Sequence, residues 1–178
     1  LRENKGFAGR IIDIGTGSGC IAIALAKNLP SSRVVGIDKS KRAIKTAMKN
    51  AVLNNAEISF LEADIFRTDP PVIINAGLIV SNPPYVRNSE KQFMHRNVLD
   101  FEPAGALFVP DDDPLKFYRA ILSFAVPALE PGGTVYFEIN ESMGKQIYDL
   151  LKSCNYNEIN ILKDINGKER IAKGRKEA

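Results

Sequence analysis

The sequence DIGTGSG, residues 13–19, decides the fold, because it sets three glycines between an apolar strand and an apolar helix. Residues 10–14 read as a short buried strand, and the helix after the loop has Ile21, Leu25 and Leu29 on one face. Glycine tolerates positive φ and lets a ligand approach the backbone closely. The first amides of the helix can face an anion or a carboxylate. The stretch therefore predicts a ligand-binding loop at the carboxyl end of a strand.

Short strands and helices alternate after this loop. Further strands are predicted at residues 33–38, 57–64, 77–81 and 134–140. The helix after the second strand has Ser40 as its predicted N-cap, and its buried stripe comprises Ala43, Ile44, Ala47, Met48 and Ala51. A helix is predicted at residues 115–129, closed by the Pro-Gly-Gly of residues 131–133, and another at residues 143–153. Residues 83–114 show little regular pattern.

The chain ends in a predicted hairpin of residues 157–162 and 169–174, with Asn166-Gly167 as a favoured two-residue turn. Alternating strands and helices predict an α/β fold with right-handed crossovers, a parallel sheet and helices on both faces. The hairpin is expected to add an antiparallel strand at the edge. Ligands of such sheets bind beyond the carboxyl ends of the strands, near the point where the strand order reverses.

Composition narrows the function classes. The chain has 178 residues, 44% hydrophobic and 25% charged, which predicts one globular domain, and a net charge of +3 is weak support for a nucleic-acid partner. Cys20 and Cys154 are far apart and form no metal-ligand pair, as expected for a reducing cytoplasm. No run of about 18 apolar residues predicts a membrane span. The first residues, LRENKGFAG, do not resemble a secretory signal and begin without Met, so we expect a domain of a longer protein.

Acidic residues follow two further strands of the predicted sheet. Asp38 ends the second strand, where it can accept hydrogen bonds from ribose hydroxyls, and Asp64 ends the third, where it can accept from an adenine amino group. Together with the glycine loop they predict a site for a nucleoside-containing cofactor. The spacing G-x-G-x-G fits S-adenosyl-L-methionine, but Gly15-x-Gly17-x-x-Cys20 also passes as a loose dinucleotide fingerprint. The same predicted cofactor site also includes Asp13, Thr16, Gly19, Lys39, Ile65 and Asn82.

The sequence LIVSNPPYV, residues 78–86, ends the fourth predicted strand in a rigid elbow. Two adjacent prolines can neither donate to a sheet ladder nor continue into a helix. The side-chain oxygen of Asn82 and the backbone oxygen of Pro83 are two acceptors that suit an incoming NH₂ group. Tyr85 adds a flat apolar face. The elbow therefore predicts a site for a planar amide or an amino-substituted ring.

The nitrogen of such a group is a poor nucleophile, because its lone pair is delocalised. Two acceptors can hold both N–H bonds and aim the lone pair at an electrophile. If the electrophile is a sulfonium methyl group, the reaction is an in-line displacement that depends on positioning and electrostatics. No metal site is predicted, and Glu138, at the end of the fifth strand, is expected to line the rim.

Several stretches resemble the release-factor glutamine methyltransferase family: DIGTGSGCIAIALA, GIDKS, LEADIF, LIVSNPPYV, LDFEPAGALFVPDDDPLKFYRAI, EPGGTVYFEIN and DINGKERI. The resemblance implies a class I S-adenosylmethionine-dependent methyltransferase (Rossmann-like) fold, with a mostly parallel seven-stranded sheet and an antiparallel terminal hairpin. It also implies methyl transfer to the amide N5 of the glutamine in the Gly-Gly-Gln motif of peptide chain release factors.

Carried over residue by residue, the resemblance implies that the three loop glycines cradle the methionine portion of the cofactor. It also implies that Asp38 holds the ribose and that Asp64 and Ile65 border the adenine. Asn82 and Pro83 would bind the glutamine amide, with Tyr85 packed near it.

The sequence departs from this family in two places. The family usually has an amino-terminal helical domain that helps to grip the release factor, which residues 1–178 lack, so we expect a single catalytic domain. Residues 110–115, PDDDPL, stand where the family often has G-x-D-G-L. The main rival interpretation is a nucleic-acid adenine N6-methyltransferase, which shares the elbow. The others are a non-catalytic nucleotide-binding module and a nicotinamide-dependent dehydrogenase. The chain has no basic stripe or base-recognition domain, so we expect no direct nucleic-acid partner and no membrane association.

Overall fold

The computed structural model describes residues 6–67, 73–94 and 104–177. The main strands are β1 (Arg10–Ile14), β2 (Arg33–Asp38), β3 (Ile58–Glu62), β4 (Ala76–Ser81), β7 (Leu129–Glu138), β8 (Tyr156–Lys163) and β9 (Glu169–Lys176). Two short strands, β5 (Val86–Arg87) and β6 (Phe108–Val109), pair separately, and a 3-10 helix spans Asn88–Phe93. The α-helices are α1 (Cys20–Asn28), α2 (Lys41–Leu53), α3 (Ala104–Leu107), α4 (Lys116–Ala128) and α5 (Gly144–Ser153).

The seven main strands form one sheet in the order β3-β2-β1-β4-β7-β9-β8. Neighbouring strands from β3 to β7 are parallel, whereas β9 is antiparallel to both β7 and β8. The predicted fold class is therefore confirmed. The terminal hairpin lies at the edge of the sheet and is antiparallel, as expected, but its second strand, β9, inserts between β7 and β8 and leaves β8 outermost.

The helices cover both faces of the sheet. On one face, α4 and α5 pack on the larger core, which includes Ile12, Ile79 and Phe137. On the other face, α1 packs on a smaller core that includes Ile11 and Leu78. Strands β1 and β4 contribute to both cores because successive side chains of a strand point to opposite faces. Among the described residues, no helix is both long enough and apolar enough to cross a membrane.

Helix α2 begins as predicted, because the hydroxyl of Ser40 accepts a hydrogen bond from the Ala43 amide at 3.2 Å. Its buried stripe is narrower than predicted. Ile44, Ala47 and Ala51 are buried, but Met48 is 53% exposed. Helix α2 packs against α1, β2 and β3 near the edge of the sheet, and among the described residues the side that carries Met48 faces solvent.

The turn between β8 and β9 differs from the two-residue turn predicted at Asn166-Gly167. The Asp164 amide donates to the Lys168 carbonyl at 2.8 Å, so three residues lie in the loop. Gly167 has a positive φ of 79°, whereas Asn166 does not. The Asp164 carboxylate selects this turn, because its Oδ1 accepts from the amides of Asn166 and Lys168 at 2.8 and 3.1 Å.

The segment with little predicted pattern, residues 83–114, contains β5, the 3-10 helix, α3 and β6. Residues 95–103, which include His95 and the Phe101-Glu102-Pro103 part of the family stretch quoted above, lie outside the described residues. Helix α4 matches its prediction to within one residue at each end. Pro131-Gly132-Gly133 lies within the range of β7, in a bulge between the pairs Ala76–Leu129 and Leu78–Thr134.

Two buried tyrosines provide a matched test of the core. The Tyr118 hydroxyl donates to the Glu138 carbonyl oxygen at 3.0 Å, whereas the buried Tyr156 hydroxyl has no hydrogen-bond partner among the described residues. We expect Tyr118→Phe to lower the free energy of unfolding by about 1 kcal/mol, because it leaves a carbonyl unpaired. Tyr156→Phe should leave stability unchanged or raise it. Urea unfolding of both variants measures the difference, and equal losses would contradict this assignment.

Candidate active site

The glycine loop follows β1 and the elbow follows β4, and these two strands are neighbours in the sheet. Ile14, the last residue of β1, is in register with Ser81, the last residue of β4. The buried Ser81 hydroxyl donates to the Ile14 carbonyl oxygen at 2.7 Å. Strand order reverses between β1 and β4, which is where sheets of this kind bind their ligands. Gly15 and Asn82 therefore begin two adjacent loops at the predicted edge.

Backbone amides of the glycine loop bind it to the end of β2. The amides of Gly15 and Thr16 donate to the Ile37 carbonyl at 2.8 and 2.9 Å, and the Gly17 amide donates to Asp38 Oδ2 at 3.0 Å. Gly15 and Gly17 have φ of 70° and 56°, in the region that favours glycine. A Cβ on Gly15 would meet no atom within 4 Å. The loop is thus fastened to the end of β2 and leaves open space above Gly15.

Gly19 has a packing role that its place in the motif did not reveal. Its φ is 84°, and a Cβ there would lie 3.1 Å from the Cβ of Ala47. Glycine at this position lets the start of α1 lie against α2. Its predicted contact with the cofactor stays a prediction.

Asp13 is the most buried charged side chain of the site, at 1% exposed. Its Oδ2 accepts from the Thr16 hydroxyl at 2.7 Å and from the Ala22 amide at 3.2 Å. Its Oδ1 is buried with no hydrogen-bond partner among the described residues. Burial raises the pKa of Asp13 to about 6 against the two hydrogen bonds, and the nearby Asp38 charge also raises it. Through these two hydrogen bonds, Asp13 connects β1 to the glycine loop and to the first turn of α1.

The acidic rim lies at the ends of β2 and β3. Both oxygens of the half-buried Asp38 accept from backbone amides, Oδ2 from Gly17 and Oδ1 from Ser40 at 2.8 Å. A carboxylate oxygen has a second lone pair, so each can accept one more hydrogen bond. The Ala63 amide donates to the Asp38 carbonyl at 2.9 Å, which brings Asp64 beside this site.

The other residues of the predicted adenine border differ in exposure. Asp64 is half-buried, and its Oδ1 accepts from the Phe66 amide at 3.0 Å. Ile65 packs against the larger core, and Lys39 is exposed. Their contacts with an adenine remain predictions.

The residues of the elbow differ in their exposure to solvent. Asn82 is exposed, Pro83 is buried, and Tyr85 is half-buried, with trans peptide bonds before both prolines. The Tyr85 hydroxyl donates to Glu138 Oε1 at 3.1 Å. Burial and the Glu138 charge raise the pKa of Tyr85, while the positive charge of Arg170 opposes them. Sequence reasoning missed this contact, because it treated Glu138 only as a rim residue.

The residues present suit a nucleoside cofactor better than a metal ion. The loop leaves space above Gly15, Asp38 keeps acceptor capacity for hydroxyl groups, and Asp13 has an unpaired buried oxygen. In the described part of the chain, no group of three His, Cys, Asp or Glu residues is placed to hold a metal ion. The predicted absence of a metal stays a prediction.

Comparison with known proteins gives the family. Residues 1–110 match the family model described as the methyltransferase small domain. The chain is 51% identical over 164 residues to the release factor glutamine methyltransferase of Flavobacterium psychrophilum, covering 92% of this chain and 57% of the relative. It is 48% identical over 171 residues to the protein of the same name from Bacteroides thetaiotaomicron, covering 96% and 61%. The resemblance to release-factor glutamine methyltransferases is thus confirmed, and the chain spans about three fifths of these relatives.

A solved structure supports the fold independently. A methyltransferase from Pyrococcus furiosus superposes with a TM-score of 0.70, at 18% identity, covering 98% of this chain and 80% of that chain. At this identity the likeness concerns the fold alone.

The raised pKa of Asp13 gives a pH dependence of stability. The folded protein binds the Asp13 proton up to about pH 6, whereas the ordinary pKa is 3.8. The contribution of Asp13 to the unfolding free energy therefore falls as pH rises through this window and is constant above it. In Asp13→Asn this contribution is absent. We expect the wild-type free energy of unfolding, relative to that of Asp13→Asn, to fall by about 2 kcal/mol between pH 4 and pH 7. Urea unfolding at several pH values measures it, and parallel profiles would refute it.

Proposed function

The chain belongs to the methyltransferase small-domain family, and from this premise we propose that it methylates a glutamine side chain of peptide chain release factors. The methyl group would go from S-adenosyl-L-methionine to the amide N5 of the glutamine in the Gly-Gly-Gln motif. Residues 1–178 would form the catalytic domain of a longer enzyme. The observation that carries the proposal is the elbow Asn82–Tyr85, which lies directly beside the glycine loop through the register of Ile14 and Ser81.

The relatives support the choice of substrate. The two reported above are named release factor glutamine methyltransferase, and they match more than nine tenths of this chain. Because the chain spans about three fifths of their length, the activity on a whole release factor is part of the proposal. We also propose a cytoplasmic location, since release factors work in translation.

The cofactor supplies an electrophilic methyl group on a positively charged sulfur. Open space above Gly15 suits its methionine portion, and Asp38 has lone pairs for the ribose hydroxyls. Asp64 and Ile65 would border the adenine, with Lys39 near the rim. Asp13 and Thr16 bind each other beneath the loop, so their proposed role is to hold its shape.

Asn82 and Pro83 would act on the substrate amide. The Asn82 side-chain oxygen and the Pro83 carbonyl oxygen would each accept one N–H bond of the glutamine amide, and the face of Tyr85 would pack on its plane. This arrangement directs the nitrogen lone pair toward the methyl carbon. With the cofactor bound, a bond between nitrogen and carbon would form as the bond between carbon and sulfur breaks, and the nitrogen would then release a proton to solvent. Positioning accounts for most of the rate, so no strong base is needed.

An adenine N6-methyltransferase remains the alternative, since an adenine amino group presents the same two N–H bonds to the elbow. The names of the relatives favour glutamine. The expectation of no direct nucleic-acid partner is part of the proposal.

Replacing Asn82 tests the proposed role. We expect Asn82→Ala to lower kcat for methyl transfer to a release factor by about a hundredfold or more, because one of two acceptors for the amide is lost. The dissociation constant for S-adenosyl-L-methionine, from calorimetry, should change little. Asn28→Ala is a matched control, since Asn28 ends α1 and its side chain donates to the Ala24 carbonyl.

The substrate is tested with the labelled methyl group of the cofactor and the whole protein. Label should appear on a release factor and be absent when the glutamine of its Gly-Gly-Gln motif is alanine. Label on adenine in nucleic acid instead would establish the alternative, and a protein that binds the cofactor without transferring label to either would overturn both.

A further inference from the structure

The elbow is fastened at both ends, to two different strands. At its beginning, the Ser81 hydroxyl binds the Ile14 carbonyl at the end of β1. At its end, the Tyr85 hydroxyl binds Glu138 Oε1 at the end of β7. Between them, Pro83 is buried and the two proline rings fix φ. The exposed Asn82 thus lies on a short segment that spans from β1 to β7 across the end of β4.

We propose that Glu138 is a positioning residue of the active site, which holds Tyr85, and through it the elbow, in the geometry that receives the substrate amide. This inference rests on the proposed function of the elbow. Glu138 would not touch the substrate; it acts through the Tyr85 hydroxyl.

The backbone around Glu138 is held from two sides. The fully buried Tyr118 donates its hydroxyl to the Glu138 carbonyl oxygen at 3.0 Å. The next amide, that of Ile139, donates to the Arg170 carbonyl of β9 at 2.9 Å. The carboxylate is therefore presented to Tyr85 from a fixed strand end, and Glu138 itself is half-buried.

Arg170 supplies the neighbouring positive charge. Its guanidinium lies 3.6 Å from an Asp164 oxygen and 3.9 Å from a Glu141 oxygen, and its Nη1 is 3.5 Å from the Ile139 carbonyl. The charges of Glu138 and Arg170 shift the pKa of Tyr85 in opposite directions, so both act on the same hydroxyl. The inserted strand β9 thus brings a cation to the anchor of the elbow.

The anchor matters because the reaction depends on positioning. Without the Glu138 acceptor, the Tyr85 hydroxyl loses its hydrogen bond to the end of β7, and only core packing and Arg170 still hold the side chain. The two acceptors must hold the amide nitrogen in line with the carbon–sulfur bond of the cofactor. Small misplacements of the nitrogen lower the rate by large factors. The consequence is expected in kcat and not in cofactor affinity, because the glycine loop has separate attachments.

The experiment compares four variants of the whole protein. Glu138→Ala and Tyr85→Phe each remove the contact, Glu138→Gln keeps an acceptor, and Glu130→Ala replaces an exposed glutamate at the other end of β7. We expect kcat to fall at least tenfold in Glu138→Ala and in Tyr85→Phe, and to stay within about threefold of wild type in Glu138→Gln and Glu130→Ala. The dissociation constant for S-adenosyl-L-methionine should be unchanged in all four.

A double variant separates positioning from general damage. If Glu138 acts through Tyr85, Glu138→Ala with Tyr85→Phe together should lower kcat no more than either alone. Multiplied losses would overturn the proposal, as would full kcat in Glu138→Ala or failure of Glu138→Gln to retain activity. Thermal unfolding of each variant identifies losses that come from instability.

A titration tests the anchor without any turnover. The ultraviolet absorbance change of wild type minus that of Tyr85→Phe isolates the Tyr85 phenol. We expect Glu138→Gln to lower its pKa, because a negative charge is removed. An unchanged pKa of Tyr85 in Glu138→Gln would contradict the proposed contact between Glu138 and Tyr85. If wild type transfers no methyl group but the pKa falls as expected, the proposed function fails while the contact between Glu138 and Tyr85 stands.

Discussion

The hydrogen bond from the Ser81 hydroxyl to the Ile14 carbonyl oxygen is the constraint on which the site depends. It joins the last residues of β1 and β4, at the point where the strand order reverses. Because the bond is buried, no water competes for it, and breaking it would leave two polar atoms without partners. A glycine loop from one strand and an acceptor elbow from the next can serve one reaction only if these two ends stay in register.

At the glycine loop, the Asp38 carboxylate serves folding and is also proposed to serve binding. The amides of Gly15, Thr16 and Gly17 donate to the end of β2, so they are not the groups that a cofactor would meet first. Asp38 closes the loop with one oxygen and begins the turn to α2 with the other. Asp38, which we propose to hold the ribose, thus also maintains the loop above which the ribose would lie.

The carboxyl-terminal hairpin has a comparable double role. Strand β9 lies between β7 and β8, where it completes the sheet and covers part of the larger core through Ala172. Its Arg170 also reaches the end of β7 and the neighbourhood of Tyr85. A strand at the outer edge would be too far away to do this. The position of β9 therefore links the end of the chain to the elbow at the centre of the sheet.

Local patterns in the sequence determined the seven main strands, the helices α1, α2, α4 and α5, the loop of residues 13–19 and the elbow, because periodicity, glycine and proline act over a few residues. They also predicted the N-cap at Ser40. They did not predict the Tyr85–Glu138 contact, since its partners are 53 residues apart and meet only when β4 pairs with β7. The insertion of β9, the exposure of Met48 and the burial of Asp13 were likewise decided by tertiary structure. Each depends on which elements pack together, and a strand or helix has the same local pattern whichever neighbour it has.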